Sequence, residues 1–311
     1  MTQLRPTPVD APVEHEPPQP PAAAPPSVWY RPLRWLRELG WRYAVVALAL
    51  GFALFPAVWV VSASFNPTGS IAAQQLIPDP ISTTNFEQLF ATNFWRWFRN
   101  SMVVGTATAV GSVFLCALAA YVYSRLRFAG RRPTLLGLLV LQMLPQFIAI
   151  IAIFLMMVSI GRYFPELGLN THIGLIMVYL GGALGLNTWL MKAFFDTVPI
   201  DLDDAAKVDG ASHVQVFFTI ILPLAVPILA VITLLSFILS LNDFMVQRVL
   251  LTEDAQYTLP VGLYLFVSEN YGQRWGPFAG GALIAGAPIV VLFLFLQRYI
   301  TSGLLGGAVK G

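Results

Sequence analysis

The chain is 311 residues long, 57% of them hydrophobic and only 11% charged, with a mean hydropathy of +0.69. Soluble domains carry about 25% charged residues, so most of this surface must face lipid or other helices. A formal charge of +2 leaves no basic face for nucleic acid, the single Cys116 allows no internal disulfide, and the scattered His15, His172 and His213 make no metal-ligand set, so no metal site is expected.

The first 28 residues are rich in Pro and Ala, with Pro17-Pro18, Pro20-Pro21 and Pro25-Pro26. Such a composition buries too little apolar surface to order itself, and it lacks the apolar stretch of a secretory signal. A disordered spacer is expected there, with a membrane domain over 29–311.

Six apolar segments follow, at about 43–62, 101–123, 134–158, 173–192, 220–241 and 278–296. Each approaches the roughly 20 residues that a helix needs to cross a hydrocarbon core of about 30 Å. The only formal charge inside these limits is the terminal Lys192, as expected when a charge at a helix centre costs about 2.5–3.5 kcal/mol. Pro56, Pro145, Pro223, Pro227 and Pro288 lie within them and predict kinks, since neighbouring helices can re-satisfy the freed carbonyls. The runs are unbroken rather than alternating, which excludes a barrel. The predicted fold is therefore all-α, a polytopic membrane bundle of six transmembrane helices.

With six spans, both termini share one side with Arg31, Arg34, Arg37, Arg42, Arg125, Arg127, Arg131, Arg132, Lys192, Lys207 and Arg298, and the other side keeps only Arg96, Arg99, Arg162, Arg248 and Arg274. The positive-inside rule places the richer side, with both termini, in the cytoplasm. The segments 63–100 and 242–277 then face outward, and Phe94, Trp95, Trp97 and Phe98 form an interfacial aromatic belt.

The cytoplasmic loop 201–223 carries the most information. Asp201, after Pro199, serves as an N-cap with Asp204 at N3, and Gly210 stands where a helix ends in a left-handed residue. Ser212 with Gln215 forms a second capping box. The prediction is helix, glycine break, helix. Leu202, Ala205, Ala206 and Val208 make a small apolar patch among acids, suited to a shallow groove on a soluble partner. An amphipathic helix lying on the membrane would carry more basic residues than Lys207 alone.

The stretch Asp204-Ala-Ala-Lys-Val-Asp-Gly210, followed by Ile221-Leu-Pro223, resembles the "EAA" loop of ABC importer permeases, with Asp204 in place of the usual Glu. The resemblance covers nearly all of the chain after the tail and is closest to the second permease subunit of maltose/maltodextrin-type importers. Gly185-Leu-Asn-Thr-Trp-Leu-Met-Lys192, Tyr257-Thr-Leu-Pro-Val-Gly262 and the terminal run from Gln297 to Gly311 carry it too.

That resemblance implies the ABC type-1 importer permease fold, with a core at about 97–298 and a C-terminal tail at 301–311. It implies transport of a sugar, most simply maltose, maltodextrin or a related oligosaccharide, through a bacterial cytoplasmic (inner) membrane. The partners implied are a second homologous permease, a pair of cytoplasmic ATPase subunits and an extracytoplasmic sugar-binding protein. The docking residues implied are Asp204, Ala205, Ala206 and Gly210, with Gly306, Gly307 and Lys310 as a C-terminal ATPase contact. The chain is expected to hold no catalytic residues and no cofactor of its own. None of Lys192, Lys207 and Lys310 sits in a phosphate-binding Gly-x-x-x-x-Gly-Lys-Ser/Thr loop, so ATP and Mg are left to the partner ATPase. An ion-driven carrier would often use a carboxylate inside the spans, and none is there. Gln142, Gln146, Asn187, Thr188, Asn242 and Asp243 are polar groups within or near the bundle, open to roles in the path or in helix-helix hydrogen bonds.

Overall fold

The computed structural model describes residues 39–68, 75–143, 146–268 and 273–308. The expected tail over 1–28, Pro145 and Lys310 lie outside the described residues. The described residues fall into two compact units, divided between Phe55 and Pro56.

Helix α1 (Trp41–Phe65) is apolar on every side. In the first unit it exposes Trp41, Val45, Leu48, Phe52 and Phe55, the pattern of a helix whose solvent is lipid. Pro56 lies inside the helix and does not end it.

The second unit is built around α3 (Phe94–Arg125), whose 32 residues extend about 48 Å. Before it comes the short α2 (Thr84–Phe90). Along α3 the buried positions Trp97, Ser101, Val104, Thr108, Ser112, Cys116 and Ala120 recur every three or four residues, one face of a helix. Most are small. In a membrane, where apolar burial drives little association, small residues let helices close on one another. A Cβ on Gly105 would stand 3.1 Å from the Phe237 ring, and one on Gly111 would stand 2.8 Å from Leu180.

The third expected span is divided into α4 (Arg131–Gln142) and α5 (Gln146–Tyr163). The fourth is α6 (His172–Ala183) followed by α7 (Leu186–Thr197), bent by 50° at Leu184-Gly185. Next come α8 (Asp201–Val208) and α9 (His213–Val216), which runs through a π-turn at Phe217–Ile221 to Leu224. Helix α10 (Val226–Asn242) then leaves at 78°. Pro223 and Pro227 flank that corner, and each lacks the N–H and crowds the preceding turn. Then come α11 (Met245–Leu250), α12 (Leu259–Val267) and α13 (Trp275–Ala308). Helix α3 packs on α6, α7, α10 and α12, and α13 packs on α2, α10 and α12.

Helices α1, α3 and α13 are long and apolar enough to cross a membrane, and the crossings number up to five if each bent pair is one span. With α4 and α5 in the place of the remaining span, the arrangement is compatible with six.

Within the segment 242–277, α11 and α12 bury Val246, Leu250, Leu259, Val261 and Phe266 in a core with Leu89 and Trp97. One expectation is corrected. The aromatic belt is divided: Phe94 and Trp97 belong to that core, while Trp95 is exposed and stacks on Phe90 at 5.3 Å. Because α3 begins at Phe94, neighbouring aromatics point to different sides.

Candidate docking site

The loop between α7 and α10 folds as a stiff handle. Val198 is extended before Pro199, as a residue preceding proline tends to be, and α8 starts two residues later. Its N-cap is Ile200, which makes no side-chain cap. Asp201, expected as the N-cap, is instead the first helical residue, so Asp203 and not Asp204 occupies N3. The acids still favour the positive end of the helix dipole.

The exit from α8 matches expectation. Gly210 has φ +84°, its N–H donates to Lys207 O at 3.0 Å, and Ala211 N–H donates to Ala206 O at 2.9 Å. That crossed pair is the Schellman closure, which strongly favours glycine at the left-handed position. No neighbouring atom lies within 4 Å of a Cβ placed there, so the requirement is set by the backbone and not by space. Ser212 and Gln215 complete the capping box, with Ser212 N–H to Gln215 Oε1 at 2.7 Å and Gln215 N–H to Ser212 Oγ at 3.3 Å.

Four expected docking residues fall on this handle, and the structure separates them. Asp204, Ala205 and Gly210 are exposed, whereas Ala206 is half-buried against the cluster containing Met191, Phe195, Val216 and Phe217. Asp204 pairs with Lys207 at 3.3 Å on the surface, a contact of small energetic weight. The exposed face also carries Leu202, Val208, Val214 and Phe218, with Val208 88% exposed. Gly306 and Gly307 lie in the last turns of α13.

Three residues of α3 that the sequence does not mark as handle contacts hold the handle from beneath. Arg125, read there as a topology charge, places Nε 2.5 Å from Oδ2 of Asp203. Both side chains are buried, at 7% and 2% exposed. Arg125 Nη2 also donates to Val198 O at 2.9 Å. Ser124 donates to Asp196 at 2.7 Å, and Asp196 pairs with Lys192 at 2.5 Å. One turn back, Tyr121 donates to His213 O at 3.2 Å and sets its ring edge-on to Phe217. No local signal marked the pair, since the acids at 201, 203 and 204 fall within about 160° of one helix side and nothing there singles out Asp203.

Gln142, Asn187, Asn242 and Asp243 are engaged with backbone or neighbouring side chains. Gln142 donates to Gly182 O at 2.9 Å, Asn187 to Ser236 at 3.3 Å, Asn242 to Ile238 O at 3.0 Å, and Tyr179 donates to Asp243 at 2.6 Å. Thr188 is fully buried, and the Gln146 side chain lies outside the described residues. At the far end of α10 a cavity of about 480 Å³ is lined mainly by apolar groups, among them Phe244, Tyr264, Trp275 and Phe278.

Residues 112–305 match the family described as binding-protein-dependent transport system inner membrane component. The galactooligosaccharides transport system permease protein GanQ of Bacillus subtilis is 39% identical over 282 residues, covering 89% of this chain and 97% of that protein. The maltose/maltodextrin transport system permease protein MalG of Escherichia coli K12 is 37% identical over 286 residues, covering 86% and 95%. Among solved structures, a bacterial ABC transporter involved in the import of the acidic polysaccharide alginate superposes with a TM-score of 0.70 at 24% identity, over 86% of this chain and 98% of that one. A membrane helix bundle with a capped helix-glycine-helix loop, near-full-length permease relatives and this fold lead to one assignment: the chain belongs to the binding-protein-dependent inner membrane component family and is an ABC importer permease.

Proposed function

We propose that this permease passes an oligosaccharide of the maltodextrin or galactooligosaccharide class across the cytoplasmic membrane, driven by ATP that separate subunits hydrolyse. The carrying observation for the sugar is the 39% and 37% identity to two oligosaccharide permeases over 89% and 86% of the chain. The exposed handle around Gly210 supports the ATPase as its partner.

In this reading the handle faces the cytoplasm with both termini. Asp204, Ala205 and Gly210 meet a groove on an ATPase subunit, while Ala206 locks α8 onto the bundle. Gly306, Gly307 and Lys310 approach the same partner from the C-terminus. A second homologous permease completes the path, a pair of ATPase subunits binds ATP and Mg, and an extracytoplasmic binding protein delivers the sugar. Closure of the ATPase pair pulls the handle, and the bundle exchanges between inward- and outward-facing states, each favoured by a different bound partner.

The test is uptake by proteoliposomes holding the assembled importer, its binding protein and internal ATP. Uptake of labelled maltotriose or of a galactooligosaccharide that stops without ATP is the expected result. Uptake that persists without ATPase subunits, or that excludes both sugars, would overturn the reading.

A further inference from the structure

We propose that Arg125 and Asp203 are positioning residues that make the end of α3 move as one body with the handle, so that force applied at α8 reaches the central helix of the bundle. The inference rests on the reading that an ATPase subunit docks at α8.

One helical turn of α3 grips every part of the handle region. Ser124 holds the end of α7 through Asp196, Arg125 holds the lead-in through Val198 O and α8 through Asp203, and Tyr121 holds the start of α9 through His213 O. A patch that merely needed to be covered could use apolar contacts alone, and the cluster containing Val216 and Phe217 already provides them. The ion pair adds something different. Its groups are 7% and 2% exposed, and neither Arg125 Nε nor Asp203 Oδ1 makes a well-aligned hydrogen bond, so charge carries the contact. A charge pair out of water loses heavily when separated, because each partner is then left uncompensated. Sliding α8 away from α3 is therefore resisted more steeply than sliding along an apolar seam. The same α3 continues inward to pack on α6, α7, α10 and α12, so a displacement of its last turn is delivered to the helices that would form the path.

The position of the pair fits transmission and not docking. Asp203 faces the bundle while Asp204, its neighbour, faces solvent. One acid is available to a partner and the next is tied to the machine that the partner drives.

The experiment uses the full importer in proteoliposomes and reads sugar taken up per ATP hydrolysed, alongside ATPase subunit recovered with the permease. Arg125→Gln and Asp203→Asn are expected to lower that ratio at least fivefold while the ATPase still co-purifies, and the exchanged pair Arg125→Asp with Asp203→Arg to recover at least half of it. Tyr121→Phe, which buries no charge, should lower it about twofold. Wild-type ratios in both single variants overturn the proposal. Should those singles fail to assemble, wild-type ratios in Tyr121→Phe and Arg125→Lys would equally overturn it, leaving the pair a folding contact. Asp204→Lys separates the two layers of inference. If that variant keeps a bound, coupled ATPase, the docking reading falls; if it loses the ATPase while the pair variants couple normally, only the present proposal falls.

Discussion

The two ends of the 56–311 unit are held by different physics. Around the handle an apolar cluster with Phe195 and Phe217 is backed by ion pairs, Arg125 to Asp203 and Lys192 to Asp196, with Ser124 between the networks. At the far end of α10 the polar ties are hydrogen bonds, Tyr179 to Asp243 among them, set within aromatic packing. There Leu259 N–H donates to Ser101 Oγ at 2.7 Å, Asn100 donates to Tyr257 O at 2.9 Å, Gln247 bonds Thr258, and Trp97 sets its ring edge-on to Phe266. A charge pair in a dry site admits few alternative geometries, whereas aliphatic and aromatic packing has more ways to refit. The difference suits a molecule that is pushed rigidly at one end and reshapes a passage at the other, where the cavity beside Phe244 and Tyr264 lies.

The comparison can be broken most forcefully at the aromatic end. Trp97 is 3% exposed within the core of Leu89, Phe94 and Phe266, and Trp97→Ala is expected to cost about 3–5 kcal/mol, as large core truncations do. The readout is a thermal shift in detergent, and an unchanged midpoint would show that this end is not a packed core. Gly210→Val comes next. A β-branched residue at φ +84° stores roughly 1–3 kcal/mol of backbone strain, so the handle should deform locally. Membrane insertion is expected to persist while sugar uptake falls at least tenfold. Lost insertion, or unchanged uptake, would count against a docking role. Ser212→Ala removes the second cap, worth about 1 kcal/mol, and should reduce uptake only partly, with hydrogen exchange rising around His213 to Val216. The smallest effect belongs to Lys207→Ala. Its bond to Asp204 is exposed, and surface pairs of this kind contribute about 0–1 kcal/mol, so stability should stay within error of the parent. A clear loss there would mean that the surface of the handle, and not its buried side, is what holds it.

Much of this arrangement was legible in the residues, and for specific reasons. The six apolar runs announce themselves because each matches a membrane's thickness. The handle's exit was readable because Gly210 and Ser212 with Gln215 act through local hydrogen bonds, which depend on neighbours in sequence alone. The entry was misplaced by one residue. Which acid turns inward is set by packing against α3 and not by the cap, and that acid is Asp203.

What could not be read depends on distant parts of the chain. Arg125 and Asp203 are 78 positions apart, and nothing local tells a loop arginine that it will meet a carboxylate in a dry site. Helix α12 has nine residues, too few to span a membrane, so nothing in its length marked it within the outward segment 242–277. The bends at Gly185 and Ala225 likewise mark places where packing selects among conformations that Gly and Pro only permit.

The central claim is that the handle meets the subunit that hydrolyses ATP. Its most direct test is a cross-link from Ala205→Cys in the assembled importer, where the native Cys116 is buried and gives little background. The expected result is a covalent adduct between this permease and the ATPase subunit, with a yield that changes when ATP is added. No adduct, together with labelling of that cysteine by an impermeant reagent from outside intact cells, would contradict the account.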